Sequence, residues 1–598
     1  MTDFFGQVRY SLGGIFNEYI NTKENVLEIN YEIPKSYTDK YIRVQHSGKV
    51  NILKNERFII FLTESIYNVP ELKAKLLESG VYAEEFSEIF LNLFILEREN
   101  IVKHLRGMFT LLIWDKEEKS LFIARDPFGI KPFYYKETDG ILTFATKQSD
   151  LCCPGPETLS IKSLQDYLTF QYVPVEGLMK GTQKLKPGHY LIKTFGKKLR
   201  TYEYCHLNFQ PNKNRTLDGT IKQTRKTLEE SIYAHMKGTQ SIGAYLSGGV
   251  DSTSLVALAK QYKSNIQTFT VGFKRQGYNE CDVAKDTAKE LGVENIQKII
   301  TPEEVIQELP KIIWYMGEPI ADPAAIPNYF LVREAKKHVD VVLSGEGADE
   351  LFGGYNIYRE SESLKVFNYI PRPLKCIINR ISLILPESIK GKSFLWRGTT
   401  PLSQRYVGNA YIFNENMKKD LLKHYDANQQ FTEITKRLFQ NIRNLDEPTQ
   451  MQYIDIHTWL SGDILPVADR MTSSHSLELR VPFLDLKLFD IARTIPTSMK
   501  ITHGTTYILR QAMQDLIPSS VKDRRKLGFP VPIRHWLKEE LYEWAKYTID
   551  NSPTDEIFYK HQIKKLLEKH VQNKHDYSRE LWTILTFMVW YQLYMQPF

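Results

Sequence analysis

A glycine turn between a predicted strand and a predicted helix carries the first candidate chemistry. Ile242 to Leu246 is a short apolar run, and it continues into Ser247-Gly-Gly-Val-Asp-Ser252 before a helix-like stretch. Glycines let the backbone turn sharply, so that successive N–H groups and the positive end of the helix face one centre. We expect a pyrophosphate there, with hydroxyl donors from the two serines and a Mg²⁺ held by Asp251. The alternative is a turn that merely needs glycine.

A second acidic turn follows another predicted strand. Val341 to Leu343 is apolar, and Ser344-Gly-Glu-Gly-Ala-Asp-Glu350 comes directly after it. Acidic groups on a glycine turn are costly unless they are solvated or bound to a cation. Ligands of open parallel sheets bind at the carboxyl ends of the strands. We therefore expect Asp251 and Asp349 to converge on one metal ion, the alternative being that these acidic residues only cap a helix.

Two other nucleotide-binding motifs are excluded. Gly391-Lys392-Ser393 lacks the glycine five positions earlier that a Walker-type loop requires. No G-x-G-x-x-G follows a strand in the way that dinucleotide binding needs. The five cysteines also show no zinc-ligand spacing.

The elements that must position these turns change type along the chain. The first ~200 residues contain closely spaced apolar runs, which predict antiparallel sheets packed on each other in an α+β domain. A polar segment from Asn208 to Thr216 separates the predicted domains 1–207 and 217–598. Beyond it, strands alternate with glycine turns and helices, which is typical of an α/β domain with a parallel sheet. From about residue 355 the pattern is mostly helical.

Composition narrows the function classes. A chain of 598 residues is too long for one ordinary core, and 42% apolar residues exclude wholesale disorder. A net charge of +7 is too dilute to argue for nucleic acid or a membrane surface as a partner. The sparse cysteines indicate reduced thiols, and the sequence shows no signal peptide and no apolar stretch of bilayer length. We expect a cytoplasmic protein.

At these residues the sequence resembles the asparagine synthetase family, the glutamine-dependent and AMP-forming kind. These enzymes join a class II glutamine amidotransferase domain to a pyrophosphatase-loop ATP ligase domain. The resemblance covers nearly the whole chain from about residue 100. It rests on the segments Leu105–Phe109, Ala124–Pro132, Leu246–Ser252, Leu343–Tyr355, Ser476–Asp485 and Lys526–Pro532.

The resemblance implies a reaction and its residues. A carboxylate attacks the α-phosphate of ATP, and an amine, normally ammonia from glutamine, then displaces AMP to leave an amide. Asp251 and Asp349 would hold Mg²⁺, while Glu346 would face the adenylate and the incoming amine. The pyrophosphate would lie against Ser247, Gly248, Gly249, Asp251 and Ser252, and the adenosine against Leu246, Val271, Gly272, Ser344 and Gly345.

The amidotransferase half departs from the family. Family members begin Met-Cys-Gly and use that cysteine as the nucleophile, whereas this sequence begins Met1-Thr-Asp3. The family's Asn-Gly-Glu, which supplies an oxyanion donor and binds glutamine, is replaced by Thr63-Glu-Ser65. The stretch that clamps the glutamine carboxylate is not recognisable either. We expect a degenerate domain without glutaminase activity that serves as a scaffold.

The ligase half departs at two lysines. The family lysine that stabilises charge around the adenylate is replaced by Thr506, and a second lysine of close relatives by Val467. Losing one charged donor from such a site raises the activation free energy of the reaction by roughly 3–4 kcal/mol. Lys526 or Arg525 would be placed to compensate, and we count Lys526 among the catalytic residues.

Three functions stay open. The first is an amide ligase that joins a small-molecule carboxylate, aspartate by default, to ammonia or another amine without using glutamine. The second is a natural-product amide or macrolactam synthetase, similar to the family's β-lactam-forming and lasso-peptide-cyclising relatives. The third is a noncatalytic, nucleotide-binding paralogue. A homodimer is left open in each case.

Overall fold

The computed structural model describes residues 3–9, 35–47, 50–63, 66–151, 155–385, 389–522, 524 and 528–595. Two antiparallel sheets occupy the first part of the chain, and a parallel sheet with many helices occupies the second. The predicted fold class is confirmed. The domain boundaries at residues 207 and 217 stay a prediction.

Two six-stranded antiparallel sheets pack face to face in the first part. The strands are β1 (Phe4–Arg9), β2 (Lys35–Thr38), β3 (Ile42–His46), β4 (Val50–Lys54), β5 (Phe58–Thr63), β6 (Thr110–Asp115), β7 (Ser120–Arg125), β8 (Tyr134–Thr138), β9 (Ile141–Ala145), β10 (Gln183–Lys184), β11 (His189–Thr194) and β12 (Arg200–Glu203). One sheet has the order β10-β8-β9-β1-β3-β2, and the other has the order β12-β11-β7-β6-β5-β4.

Strand β5 shows why these segments form a sandwich. Every residue of β5 is buried. Because successive side chains of a strand point to opposite faces, Ile59 and Phe61 enter the core between the two sheets. Ile60 and Leu62 enter a second core, which the first helices cover.

The parallel sheet brings the two acidic turns together. Its strands are β13 (Ile242–Tyr245), β14 (Gln267–Phe273), β15 (Glu294–Ile300), β16 (Val341–Leu343) and β17 (Glu478–Arg480), in the order β15-β14-β13-β16-β17. Strands β13 and β16 are parallel neighbours, with Ala244 opposite Leu343. Both strands therefore end at the same edge of the sheet, so the turns that follow them lie side by side.

Helices cover both parts of the chain. Within the described ranges, none of these helices is long and apolar enough to cross a membrane. A π-helical segment, Ile456–Ile464, joins α16 to α17. The helices are α1 (Val69–Glu78), α2 (Phe86–Glu97), α3 (Ile161–Phe170), α4 (Leu217–Met236), α5 (Val250–Tyr262), α6 (Cys281–Leu291), α7 (Pro302–Met316), α8 (Ala325–Ala335), α9 (Ala348–Phe352), α10 (Glu360–Leu364), α11 (Arg372–Ile384), α12 (Lys392–Thr399), α13 (Leu402–Arg405), α14 (Glu415–Leu421), α15 (Thr432–Asn441), α16 (Glu447–Asp455), α17 (Leu465–Ser474), α18 (Leu486–Ala492), α19 (Thr497–Ile501), α20 (Tyr507–Met513), α21 (Ser519–Lys522), α22 (Ile533–Trp536), α23 (Tyr542–Asn551), α24 (Lys560–Val571) and α25 (Ser578–Tyr594).

Helix α3 ties the first part of the chain to the last helix. Its Tyr167 hydroxyl donates to the carbonyl of Thr583 at 2.7 Å, and its ring packs on Phe587 with centroids 5.9 Å apart. Leu164 and Leu168 of the same helix belong to the large apolar core that the ligase half forms. The two halves therefore share one core at this point.

Buried ion pairs also cross between the halves. Arg106 donates two hydrogen bonds from Nε and one from Nη2 to the carboxylate of Asp485, at 2.5 to 2.9 Å. Lys131 pairs with Asp469, and Arg470 pairs with Asp3. Burial alone would raise the pKa of Asp485, but the hydrogen bonds and charge of Arg106 outweigh it and hold that pKa below its usual range. The pairing therefore favours the charged, assembled form.

We predict that Arg106→Ala lowers the free energy of unfolding by about 3 kcal/mol at neutral pH, because it leaves a buried carboxylate unpaired. The contribution of a carboxylate with a lowered pKa is present above its unfolded value of about 3.9 and is lost as the pH falls below it. The deficit of the variant should therefore shrink once the pH is lowered below that value. Urea unfolding over a pH series measures both effects.

The matched control is Lys162→Ala, which removes an ion pair with Glu176 in which both side chains are about half exposed. Its expected cost is less than about 1 kcal/mol. Equal losses of unfolding free energy in the two variants would show that the pair between Arg106 and Asp485 stabilises the protein no more than an exposed pair does.

Candidate active site

The turn after β13 requires glycine at its centre. Gly248 has a φ of +73°, in the left-handed region that side chains rarely adopt. A Cβ on Gly248 would also lie 2.6 Å from Cγ1 of Val283 and 3.0 Å from Nη1 of Arg524. Both conformation and space therefore demand glycine at this position.

The two serines of this turn bond to the turn itself. The Ser247 and Ser252 hydroxyl oxygens lie 3.1 Å apart, and the N–H of Gly249 donates to Ser247 Oγ at 3.3 Å. In the structure these hydroxyls brace the turn; that they also donate to a ligand stays a prediction. Helix α5 begins here without a side-chain cap on its N-terminus. Because first-turn N–H groups have no acceptor within a helix, this end of α5 can bind an anion.

The turn after β16 touches the first turn. A Cβ on Gly345 would lie 3.5 Å from the backbone nitrogen of Ser252 and 3.6 Å from Cβ of Asp251. Gly347 has a φ of +89°, and a Cβ there would meet Leu484 at 2.1 Å. The close approach of the two turns places their acidic residues around one space.

A pair of glycines wraps Asp349. The N–H groups of Gly353 and Gly354 both donate to the carbonyl of Asp349, at 2.9 and 2.8 Å. A Cβ on Gly354 would overlap Oδ1 of Asp349 at 1.7 Å. Gly354 is therefore needed to leave room for this carboxylate, while a Cβ on Gly353 would meet Ile501 at 2.7 Å.

The three acidic residues of the second turn do not share one environment. Glu346 and Asp349 line the cavity described below. Glu350 is turned into the interior, where the Tyr355 hydroxyl donates to its carboxylate at 2.6 Å. Burial raises the pKa of Glu350 to about 8, so this group is mostly protonated near neutral pH.

A cavity of about 270 Å³ lies over the ends of β13 and β16. Among the described predicted residues, Gly272 is the one that does not line it. Gly272 lies behind Asn279, because a Cβ on Gly272 would meet Asn279 Oδ1 at 2.5 Å, and Lys526 lies outside the described residues. The predicted site residues that line the cavity are Leu246, Ser247, Gly248, Gly249, Asp251, Ser252, Val271, Ser344, Gly345, Glu346 and Asp349.

A larger cavity of about 580 Å³ lies between the two halves. Its lining includes Lys184, His206, Glu318 and His457, but none of the predicted site residues. Size alone would favour this cavity. We place the candidate site in the smaller one, because only there do two glycine turns, a helix N-terminus and two aspartates meet.

Sequence reasoning missed the arginines of the site. Arg524 donates to the carbonyl of Gly248 at 3.1 Å, and Arg510 donates to the carbonyls of Thr505 and Arg524 at 3.0 and 3.1 Å. Both arginines line the cavity. They come from segments more than 250 residues beyond the first turn and show no spacing that ties them to it. Only the fold reveals that they fasten the C-terminal part to the turn after β13.

Thr506 lines the cavity in a strained conformation. Its φ of +52° and ψ of +31° are left-handed, which is unusual for a β-branched residue. Its N–H donates to the carbonyl of Gly353 at 3.2 Å, and its hydroxyl donates to the carbonyl of Thr505 at 2.8 Å. The position of the expected family lysine is thus occupied by a short, buried and uncharged side chain.

The acidic side chains suit a Mg²⁺ ion that is also bound by phosphates better than a metal ion held by protein side chains alone. Within the described ranges, no three His, Cys, Asp or Glu side chains are grouped to hold a metal ion. Asp251 and Asp349 nevertheless both line the cavity. Mg²⁺ commonly binds one or two carboxylates together with the phosphates of a substrate. The donor set fits that arrangement.

Comparison with known proteins agrees with this architecture. A family model described as asparagine synthase matches residues 223–592. A second model, described as a glutamine amidotransferase domain, matches residues 44–205. Together they cover the parallel-sheet part and most of the antiparallel part.

Named relatives are similar along most of the chain. Asparagine synthetase [glutamine-hydrolyzing] 1 of Bacillus subtilis is 45% identical over 558 residues, which cover 92% of this chain and 88% of the relative. A putative asparagine synthetase of Mycobacterium tuberculosis is 39% identical, covering 90% of this chain and 85% of the relative. Asparagine synthetase 3 of Bacillus subtilis is 25% identical, with coverages of 86% and 82%. The chain belongs to the asparagine synthetase family.

Proposed function

We propose that this protein is an ATP-dependent amide ligase that releases AMP and pyrophosphate and activates a carboxylate, aspartate by default. One observation carries the proposal: the turns after β13 and β16 meet over one cavity that contains Asp251 and Asp349. Family membership supports the same reaction class.

In this proposal the first turn binds the phosphates. The N–H groups at the start of α5 face the pyrophosphate, and Arg524 fixes the turn from the C-terminal side. Asp251 and Asp349 would hold Mg²⁺, which supplies neutralisation of phosphate charge when bound. Positioning and charge neutralisation are the main contributions to such a reaction.

The adenosine would lie beside the ends of β13 and β14. Leu246 is fixed there, because its N–H donates to the carbonyl of Phe269 and its carbonyl accepts from the Thr270 hydroxyl. We assign the adenosine to Leu246, Val271, Ser344 and Gly345, which line the cavity; Gly272, which lies behind Asn279, is not included.

The reaction has two steps. The carboxylate of the substrate attacks the α-phosphorus, and the bond to the β-phosphate breaks to release pyrophosphate. Ammonia or another amine then attacks the acyl carbon, loses a proton, and expels AMP to leave an amide. We assign Glu346 to the face that receives the amine, and Lys526 to stabilising the charge that develops on the acyl group.

We further propose that the antiparallel half does not hydrolyse glutamine, although its named relatives carry that activity in their names. The Thr63 hydroxyl donates to the Thr110 carbonyl and accepts from the Thr110 N–H, so it is engaged with the neighbouring strand. The Asp3 carboxylate accepts from the Thr146 hydroxyl and from Arg470. These bonds support a structural role for both positions.

Thr506 favours a second candidate function. A buried threonine at this position supplies no charge to the adenylate, which is the departure expected if the acid or the amine has changed. A natural-product amide or macrolactam synthetase is therefore the alternative, and a noncatalytic nucleotide-binding paralogue is the third.

Incubation with ATP, Mg²⁺, aspartate and ammonium should release pyrophosphate and form asparagine. Asp251→Asn should reduce pyrophosphate release by about 100-fold or more, since it removes a charge from the phosphate site. Asp286→Asn, on the exposed side of α6, should leave the rate unchanged. Pyrophosphate without asparagine would indicate another acceptor, and no release with any acid would favour the noncatalytic paralogue.

Glutamine should yield no glutamate above the background rate when it replaces ammonium. Chromatographic measurement of glutamate in the complete reaction checks this. Stoichiometric glutamate formation would contradict the proposed loss of glutaminase activity, and it would leave the ligase proposal intact.

We predict that Thr506→Lys raises the rate of pyrophosphate release with aspartate and ammonium by about 100-fold, because it returns a cation to the adenylate site. The control is Thr502→Lys, on an exposed position of the same segment. An unchanged rate in Thr506→Lys would contradict the assignment of this position to the adenylate.

We predict that Gly248→Ala weakens ATP binding by about tenfold or more, since the added Cβ collides with Val283 and Arg524. Gly277→Ala is the control, because Gly277 also has a positive φ, of +84°, but a Cβ there meets nothing within 4 Å. Calorimetric titration with ATP measures the affinity of both variants. Equal affinity in the two variants would show that the first turn does not contact the phosphates.

A further inference from the structure

Helix α11 presents an apolar stripe to solvent. Leu374, Ile377, Ile381 and Ile384 recur at helical spacing, and their exposed fractions are 51%, 53%, 49% and 83%. We call these four residues the α11 stripe. Surface helices of globular proteins normally turn such a stripe towards the core.

The polar side of α11 is the one that packs on the protein. Asn379 donates from Nδ2 to the hydroxyls of Thr399 and Thr400, at 3.0 and 2.8 Å, at the end of α12. Ser382, three residues further along the same face, is fully buried. The helix is therefore attached by its polar face and exposes its apolar face, the reverse of the ordinary arrangement.

Exposed apolar side chains continue on both sides of the helix in the sequence. Val366 and Tyr369 precede α11, with exposed fractions of 55% and 87%, and Ile389 follows it at 42%. Clusters of exposed apolar residues on this scale mark an interaction site.

The charges around the stripe are almost all positive. Residues 365–397 contain seven Lys and Arg but only one acidic residue, Glu387. At 100° per residue, exposed Arg380 borders the α11 stripe, whereas Arg372 and Lys375 lie towards the face that carries Asn379. The ionisable side chains of α11 include no carboxylate, so pairing two copies of this helix would bring like charges together. Charge complementarity therefore calls for an anionic partner.

We propose that the α11 stripe docks on an anionic lipid bilayer, with the helix lying in the plane of the interface. Amphipathic helices of this kind bury an apolar face at the headgroup boundary while flanking Lys and Arg contact anionic headgroups. A tyrosine at such an edge, as at Tyr369, also suits the membrane interface. The net charge of +7, averaged over 598 residues, conceals this local cluster, which is why the sequence predicted no membrane partner.

Flotation with vesicles tests the proposal on the full chain. The protein should float with vesicles that contain phosphatidylglycerol, about tenfold more than with pure phosphatidylcholine, and added salt should release it. The double variant Ile377→Glu, Ile381→Glu should lose about tenfold or more of this binding. Circular dichroism melting checks that the variant is folded.

Two further double variants serve as controls. Ile377→Leu, Ile381→Leu keeps the stripe apolar and should retain binding. Leu77→Glu, Leu96→Glu changes two exposed leucines on α1 and α2, with exposed fractions of 58% and 50%, and should also retain it. Absence of wild-type binding to anionic vesicles, or equal losses in the two glutamate variants, would overturn the proposal. A wild-type dimer that the Ile377→Glu, Ile381→Glu variant alone converts to a monomer would overturn it in favour of a second copy.

Discussion

Two carboxylates at one edge of a parallel sheet impose the central constraint on this structure. The register that sets Ala244 opposite Leu343 makes the turns after β13 and β16 neighbours, and so it brings Asp251 and Asp349 to one cavity. Negative charges gathered in a partly buried space are costly without compensating positive charge. The site therefore makes physical sense as a place where a cation and phosphate groups bind together.

The glycines of the site follow from that constraint. Gly248 and Gly347 provide left-handed backbone, while Gly354 leaves room for Asp349. Each of these glycines costs conformational entropy that an alanine would not. The local packing requires them, because a Cβ on Gly248 would collide with Val283 and one on Gly347 with Leu484.

The antiparallel half contributes to the ligase half whatever it catalyses itself. Arg106 and Lys131 pair with Asp485 and Asp469, two buried carboxylates of the second half. Without the first half, both carboxylates would lose these cationic partners. Because α3 also packs against α25 in the shared core, the first half contributes to the packing of the second independently of any glutaminase chemistry.

Local patterns in the sequence predicted the fold class and most of the named residues that line the cavity, because a strand, its glycine turn and the next helix are contiguous. The same logic could not find Arg510 and Arg524, whose place depends on how the C-terminal segment packs on the first turn. Nor could it show that Glu350 turns inward while Glu346 faces the cavity. Glu350 is mostly neutral and Thr506 is uncharged. Among the described residues that line the cavity, the cations are Arg510 and Arg524, which donate to backbone carbonyls. In the proposed reaction, charge developing on an acyl-adenylate would then be met by backbone N–H groups, by the metal and by Lys526, so the site would depend more on the shape of its turns than a site that retains the family lysine.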